Sequence, residues 1–223
     1  MIQAICYKEW IKTRGAVLLS GVLLAAYAVY AFIHTGQLFR VDGAVATWSG
    51  VILKDAFLLP GATRWLPLAT GLMVGLAQFV PELTERRLKL TLHLPLPAGR
   101  VLSVMLLHGV ITLLALYLPV AIALLSGLSA YYPPEITGAL AWRALPWFAA
   151  GIAAYLFTAW TCVEPSWQQR VKNVLVAAGA LPACYVDGPA GSYLPFLPWL
   201  VVILAVAFLA PFQAAGRFKE GVQ

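Results

Sequence analysis

The feature that most constrains the fold is a succession of apolar runs, each about as long as a helix that crosses a bilayer. A transmembrane helix needs about 20 predominantly apolar residues. Such runs dominate this chain, which is 61% hydrophobic and only 11% charged. Soluble domains are nearer half apolar and about a quarter charged. The sequence therefore predicts an all-α polytopic membrane protein.

The apolar runs predict six transmembrane helices in one domain over residues 15–223. The predicted spans are 15–35, 65–80, 101–127, 144–162, 174–186 and 195–212, and residues 128–141 and 163–173 are predicted loops. Residues 37–64 hold short apolar runs that Lys54 and Asp55 interrupt. We interpret this stretch as an outer interfacial or re-entrant segment, and a full extra span is the alternative.

Residues 1–14 predict a separate amphipathic helix that lies in the membrane interface. One of its sides is apolar, through residues such as Ile5 and Trp10, and the other carries Lys8, Lys12 and Arg14. Helices with this pattern lie along a bilayer surface and do not cross it.

The distribution of positive charge predicts the orientation. With six spans and both termini cytoplasmic, eleven Lys and Arg residues lie on the cytoplasmic side and four outside. Cytoplasmic loops carry such an excess, so we expect a multi-pass protein of the inner or plasma membrane. The same rule explains the net charge of +6 without nucleic acid. The expected partner is membrane lipid, and no nucleic acid is expected.

The loop 82–100 differs from an ordinary connector. Pro81 suits the first position of a helix, and charged residues then recur at helical spacing, while Pro95 and Pro97 stop the helix. Leucines alternate from Leu88 to Leu96, which taken alone indicates a strand. Because no partner strand is evident, we favour a short surface helix.

This loop resembles the cytoplasmic loop between the second and third spans of type-2 ABC exporter permeases. The likeness rests on three segments, which are Glu85-Arg86-Arg87, Leu90-Thr91-Leu92 and Leu94-Pro95-Leu96-Pro97. Leu88 and Lys89 stand where the family often has a glycine.

The resemblance implies a type-2 ABC exporter permease fold with an N-terminal elbow helix and six spans. It implies a dimer with a second permease subunit and a separate P-loop ATPase that binds ATP and Mg²⁺. No GxxxxGK[ST] motif occurs here, so we expect a transporter membrane subunit that is not an enzyme and holds no cofactor or metal. The residues implied to dock the ATPase are Glu82, Glu85, Arg86, Arg87, Leu88, Lys89 and Leu92.

Two further places carry candidate functional residues. Glu164, Arg170 and Lys172 lie in the predicted loop 163–173 and form a candidate secondary cytoplasmic contact, with a solvated positive loop as the alternative. His108 is an ionisable residue inside the third predicted span, which makes it a candidate pathway residue.

Two other functions stay open at this point. The chain could be an accessory membrane subunit of an assembly complex, such as heme export for cytochrome c maturation. It could also be a membrane-embedded enzyme, but no pair of acidic or histidine residues at catalytic spacing appears. The sequence leaves the cargo and the choice of homodimer or heterodimer open.

Overall fold

The computed structural model describes residues 2–54, 59–84, 97–186 and 194–220, and every element in these ranges is a helix. In chain order the elements are α1 (Ile2–Val41), α2 (Gly43–Lys54), α3 (Ala62–Thr84), α4 (Ala98–Leu128), α5 (Pro134–Val163), α6 (Trp167–Ala180), a 3₁₀ helix (Leu181–Tyr185), a second 3₁₀ helix (Leu194–Phe196) and α7 (Leu197–Glu220).

Four helical segments of the described chain are long and apolar enough to cross a membrane. They are Ile2–Val41, Gly99–Leu128, Pro134–Val163 and Leu194–Arg217. The prediction of a helical membrane protein is thus confirmed at this level, and the first, third, fourth and sixth predicted spans lie within these segments. The second predicted span is helical too, within α3, which carries Arg64, Gln78 and Glu82 and is not among these four segments.

Contacts between helix ends define two ends of the bundle. At the end where α1 begins, which we call the N-terminal end, Lys12 of α1 bonds to Glu82 at the end of α3. Arg217 near the end of α7 lies 3.6 Å from the carboxylate of Glu164, the residue after α5. The helices α3, α5 and α7 therefore all finish at the N-terminal end.

The other end of the bundle, which we call the opposite end, gathers the remaining helix termini. Arg64 at the start of α3 donates a hydrogen bond to the carbonyl of Tyr185, the last residue of the first 3₁₀ helix. Phe39 near the end of α1 lies 5.1 Å from Tyr131, just after α4, between ring centroids. The chain therefore runs between the two ends six times within the described residues.

The fifth of these passages differs from its predicted form. The prediction of a loop over 163–173 was wrong, because only 164–166 separate α5 from α6. Pro165 stops α5, and the following Gln, Arg and Lys residues favour helix. At about 1.5 Å per α-helical residue and 2.0 Å per 3₁₀ residue, α6 and the first 3₁₀ helix together cover about 31 Å.

The predicted separate helix over residues 1–14 is also corrected. Residues 2–41 form one continuous helix, because nothing near Gly15 stops it and one glycine costs a helix only about 1 kcal/mol. Its side chains are also arranged differently, since Ile5, Glu9 and Thr13 are buried while Trp10 and Ile11 are exposed.

The stretch 37–64 is divided among three helices, namely the end of α1, all of α2 and the start of α3, with residues 55–58 outside the described part. Gly43 has a φ of 76°, a conformation that glycine adopts readily, and it redirects the chain from α1 into α2. The 12 residues of α2 cover about 18 Å, too little to cross a bilayer core of about 30 Å.

The predicted loop over 128–141 was too long. The helices α4 and α5 are joined by residues 129–133, and α5 starts at Pro134. Proline at the first helical position and Glu135 in the first turn are both favourable helix-start signals.

A close contact between helix backbones joins α3 to α5 through glycines. A Cβ atom built on Gly71 would lie 2.0 Å from the carbonyl oxygen of Gly151, and one on Gly75 would lie 3.0 Å from the side chain of Thr158. Small residues spaced four apart allow helix backbones to approach in membranes. This contact holds α3 against α5 and so fixes where the last turn of α3 lies.

Candidate functional site

Four charged side chains meet at the N-terminal end of the bundle. The Nζ atoms of Lys8 and Lys12 lie 2.8 and 2.7 Å from Oε1 of Glu82, and Lys12 lies 2.8 Å from Oε1 of Glu9. Glu9 and Glu82 are 0% and 2% exposed. We call these four residues the Glu82 cluster. It joins the first turns of α1 to the last turn of α3.

A chain of hydrogen bonds extends the Glu82 cluster across the bundle. Lys12 donates to the backbone carbonyl of Gln78 at 3.3 Å, and the Gln78 amide donates to the carbonyl of Met105 in α4 at 2.9 Å. The hydroxyl of Tyr155 in α5 donates to Oε1 of Gln78 at 2.8 Å. Four helices are therefore connected by polar contacts at this end.

The charges within the Glu82 cluster balance. Two ammonium groups face two carboxylates, so each buried carboxylate has a positive charge within 2.8 Å that offsets the cost of its burial. Burial raises the pKa of Glu82, but hydrogen bonds from Lys12 and Lys8, together with their positive charges, outweigh it and hold that pKa below its ordinary value. The carboxylate is therefore ionised at neutral pH.

Helical spacing explains why the sequence places these side chains together. Glu9 and Lys12 are three residues apart and Gln78 and Glu82 are four apart, so each pair shares one helix face. A polar face on an otherwise apolar helix must turn toward the protein interior, since polar groups facing lipid are costly. Two such faces, one on α1 and one on α3, meet in the Glu82 cluster.

Of the predicted docking residues, Glu82 lies in the described chain and the others do not. The segment 85–96 is outside the described residues, and it contains Glu85, Arg86, Arg87, Leu88, Lys89 and Leu92. Their helical arrangement stays a prediction. The described chain ends before this segment at Thr84 and resumes after it at Pro97.

The second predicted contact is partly assembled. Arg170 donates from Nε to the backbone carbonyl of Glu164 at 2.7 Å, and Arg217 approaches the Glu164 carboxylate. Glu164 is only 1% exposed, so its carboxylate links α5 to α7 and does not face outward. Lys172 is exposed and separate from this group.

The remaining candidate, His108, lies in α4 and is partly buried. Its Nε2 atom has no hydrogen-bond partner among the described residues. Within the same residues, no group of three or more His, Cys, Asp or Glu side chains could hold a metal ion.

Glu9, Gln78 and Tyr155 were not predicted to be members of this polar network. The spacing of Glu9 from Lys12 and of Gln78 from Glu82 was a usable signal. The pairing of Lys12 with Glu82, which are 70 residues apart in the chain, leaves no local pattern.

Comparison with known proteins gives no relative for this chain. No family model, no curated protein and no solved structure matches it.

Proposed function

We propose that the chain is the permease subunit of a type-2 ABC exporter and that it binds a separate P-loop ATPase through the loop after α3. The resemblance of residues 85–97 to the docking loop of that family motivates the proposal. The six passages of the chain between the bundle ends support it, as does the concentration of charge at the end from which the loop leaves.

The observation that carries the proposal is the anchoring of Glu82. This residue lies in the last turn of α3, directly before the loop, and two lysines of α1 hold its carboxylate. A loop that transmits force needs a fixed connection to the membrane helices. A connector that only joins two spans does not require a buried ion-pair cluster at its root, given what charge burial costs.

The contacts between the helices indicate how ATP binding in the partner would be coupled to movement of the membrane helices. Closure of two ATPase subunits around ATP would press on Glu85, Arg86 and Arg87 and on Leu88 and Leu92, which follow them. The displacement would pass from the last turn of α3 to α1 through the Glu82 cluster. It would pass to α5 through the contact of Gly71 with Gly151, because close-packed backbones transmit strain.

The proposal includes an orientation of the bundle in the membrane. Basic residues at the N-terminal end of the described chain outnumber those toward the opposite end, and that end would face the cytoplasm of an inner or plasma membrane. Both termini are then cytoplasmic, residues 65–80 of α3 form the second span, and α6 with its 3₁₀ helix is the fifth. The helices of two subunits would enclose the transport path, with ATP and Mg²⁺ bound by the partner ATPases.

The proposal is tested by purifying the tagged chain from its native membrane in mild detergent and assaying ATPase activity. We expect a P-loop ATPase to co-purify, and we expect Arg86→Glu with Arg87→Glu to reduce its recovery at least tenfold. The matched control is Arg40→Glu, a charge reversal at an exposed site of the opposite end, which should leave recovery unchanged. A folded wild-type chain that brings down no ATPase would refute the proposal.

A further inference from the structure

A cavity of about 420 Å³ lies between α4 and α5, in the half of the bundle near the opposite end. Its walls come mainly from α4 between Leu114 and Leu128 and from α5 between Leu140 and Ile152, and Leu59, Thr63 and Leu204 complete them. None of the described residues that line it is charged. The volume is within the range of about 300–1,000 Å³ that small-molecule sites occupy.

Within the described part of the chain, the cavity lining offers no free hydrogen-bonding side chain. The two hydroxyl groups of this lining belong to Thr63 and Tyr117. Thr63 donates to the carbonyl of Pro60 at 2.7 Å, and Tyr117 donates to the carbonyl of Pro67 at 2.8 Å. A sugar, peptide or charged group placed here would leave its own polar atoms unpaired, which is costly. The lining therefore selects a purely aliphatic occupant.

The cavity is open on the outer surface of the bundle. Leu114 and Leu118 of α4 are 38% and 56% exposed, and Leu145 of α5 is 39% exposed. All three line the cavity and form its rim. Because both helices are long and apolar enough to cross a membrane, this rim faces the hydrocarbon region of the bilayer.

An occupant is expected on energetic grounds. Water does not fill a cavity with apolar walls, and an empty void forfeits the dispersion contacts of its lining. At 420 Å³ the space holds no more than about one turn of an α-helix of about 10 Å diameter, so a membrane-crossing helix from a second copy cannot lie within it. A flexible alkyl chain does fit.

We propose that this cavity binds one acyl chain of a membrane glycerophospholipid, whose headgroup stays at the membrane surface near the opposite end of the bundle. The chain would pack between α4 and α5 along Leu118, Ala121 and Phe148. The inference does not depend on the proposed transport function.

The first test fills the cavity with protein side chains. The variant Ala121→Phe with Ala144→Phe places two rings inside it, since both alanines line it. The matched control is Ala115→Phe, at an exposed site on α4 that does not line the cavity. Each protein is purified in mild detergent with 1-palmitoyl-2-oleoyl phosphatidylcholine, and bound lipid is counted by mass spectrometry of the intact complex.

We expect one retained phosphatidylcholine per wild-type chain, the same for the control and at least a tenfold loss in the filled variant. Wild-type protein without retained lipid would overturn the proposal, and so would equal retention in the filled variant. A dimer that the filled variant loses while no lipid is found would instead assign the cavity to a second copy.

A second measurement keeps the proposal testable if the filled variant does not fold. Wild-type protein is irradiated with phosphatidylcholine that carries a diazirine at the end of one acyl chain. We expect labelling to concentrate on α4 and α5 around Leu118 and Leu145, and excess unlabelled phosphatidylcholine should reduce it at least fivefold. Uniform labelling of the lipid-facing helices, without competition, would contradict a site.

Discussion

At the scale of single residues, Glu82 is the most consequential side chain in the described part of the protein. Both lysines of α1 contact the same carboxylate oxygen, and the residue is 2% exposed. Removing one member of a buried ion pair leaves the remaining charge buried without an opposite charge to offset the cost of its burial. This carboxylate therefore helps to hold α1 against α3, together with the hydrogen bond from Lys12 to the Gln78 carbonyl.

We predict that Glu82→Gln lowers the free energy of unfolding by about 3 kcal/mol, because Lys12, whose side chain is 9% exposed, then keeps only one of the two carboxylates it contacts, that of Glu9. The measurement is unfolding by sodium dodecyl sulfate from mild-detergent micelles. Glu135→Gln removes an exposed carboxylate at the opposite end and serves as control, with an expected loss of about 0.5 kcal/mol. Equal stability of the Glu82 variant and wild type would show that the ion pairs contribute nothing.

The pH dependence of stability should report the same carboxylate. Glu82 lies beyond the predicted second span, and its pKa is held below the ordinary value of 4.5. A group whose pKa is lowered in the folded state stabilises the fold above its unfolded pKa and loses that contribution as pH falls. We predict that stability is level above about pH 5.5 and declines below about pH 4.5, and that Glu82→Gln flattens part of this decline. An unchanged profile in the variant would assign the decline to other carboxylates.

At the scale of elements, the contact between α3 and α5 determines where the candidate site lies. Pro67, Gly71 and Gly75 bring the backbone of α3 against Gly151 and Thr158 of α5. The pattern Gly71-x₃-Gly75 indicates a helix-packing face and is visible in the sequence. The sequence does not show which residues of α5 this face contacts, because many alanines and glycines of that helix offer small surfaces at the same spacing.

We predict that Gly151→Ala destabilises the protein by about 2 kcal/mol, since the added methyl group would lie 2.5 Å from the Pro67 carbonyl oxygen. Gly138→Ala on the same helix meets nothing within 4 Å and should be neutral or stabilising by about 0.5 kcal/mol. Thermal unfolding in detergent distinguishes the two. A Gly151 variant as stable as the Gly138 variant would mean that the helices are not in close contact.

At the scale of the whole molecule, hydropathy predicts the long apolar helices but not their polar connections. The first, third, fourth and sixth predicted spans lie within helices that could cross a membrane, because an uninterrupted apolar run has few alternatives in a bilayer. The fifth passage was harder to predict, since the polar start of α6 at Gln168 and Gln169 is typical of a loop. The burial of Glu9 and Glu82 depends on contacts between helices far apart in the chain, which no single-sequence pattern encodes.

The orientation can be measured with single cysteines in a variant whose native cysteines are replaced. Tyr7 and Val41, which are 67% and 82% exposed, lie near the two ends of α1. We predict that a membrane-impermeant maleimide labels Val41→Cys in intact cells and labels Tyr7→Cys only after permeabilisation. Labelling of both sites in intact cells would mean that α1 does not cross the membrane.

The most direct test of the docking proposal is a cross-link from the loop itself. A photoreactive amino acid at position 88, in place of a leucine predicted to enter the ATPase groove, is irradiated in native membranes, with the same substitution at Val41 as control. We predict a cross-linked product from position 88 that contains a P-loop ATPase and also binds a photoreactive ATP analogue, and none from position 41. Absence of that product from a folded protein, or an equal yield from both positions, would contradict the proposal that this loop docks an ATPase.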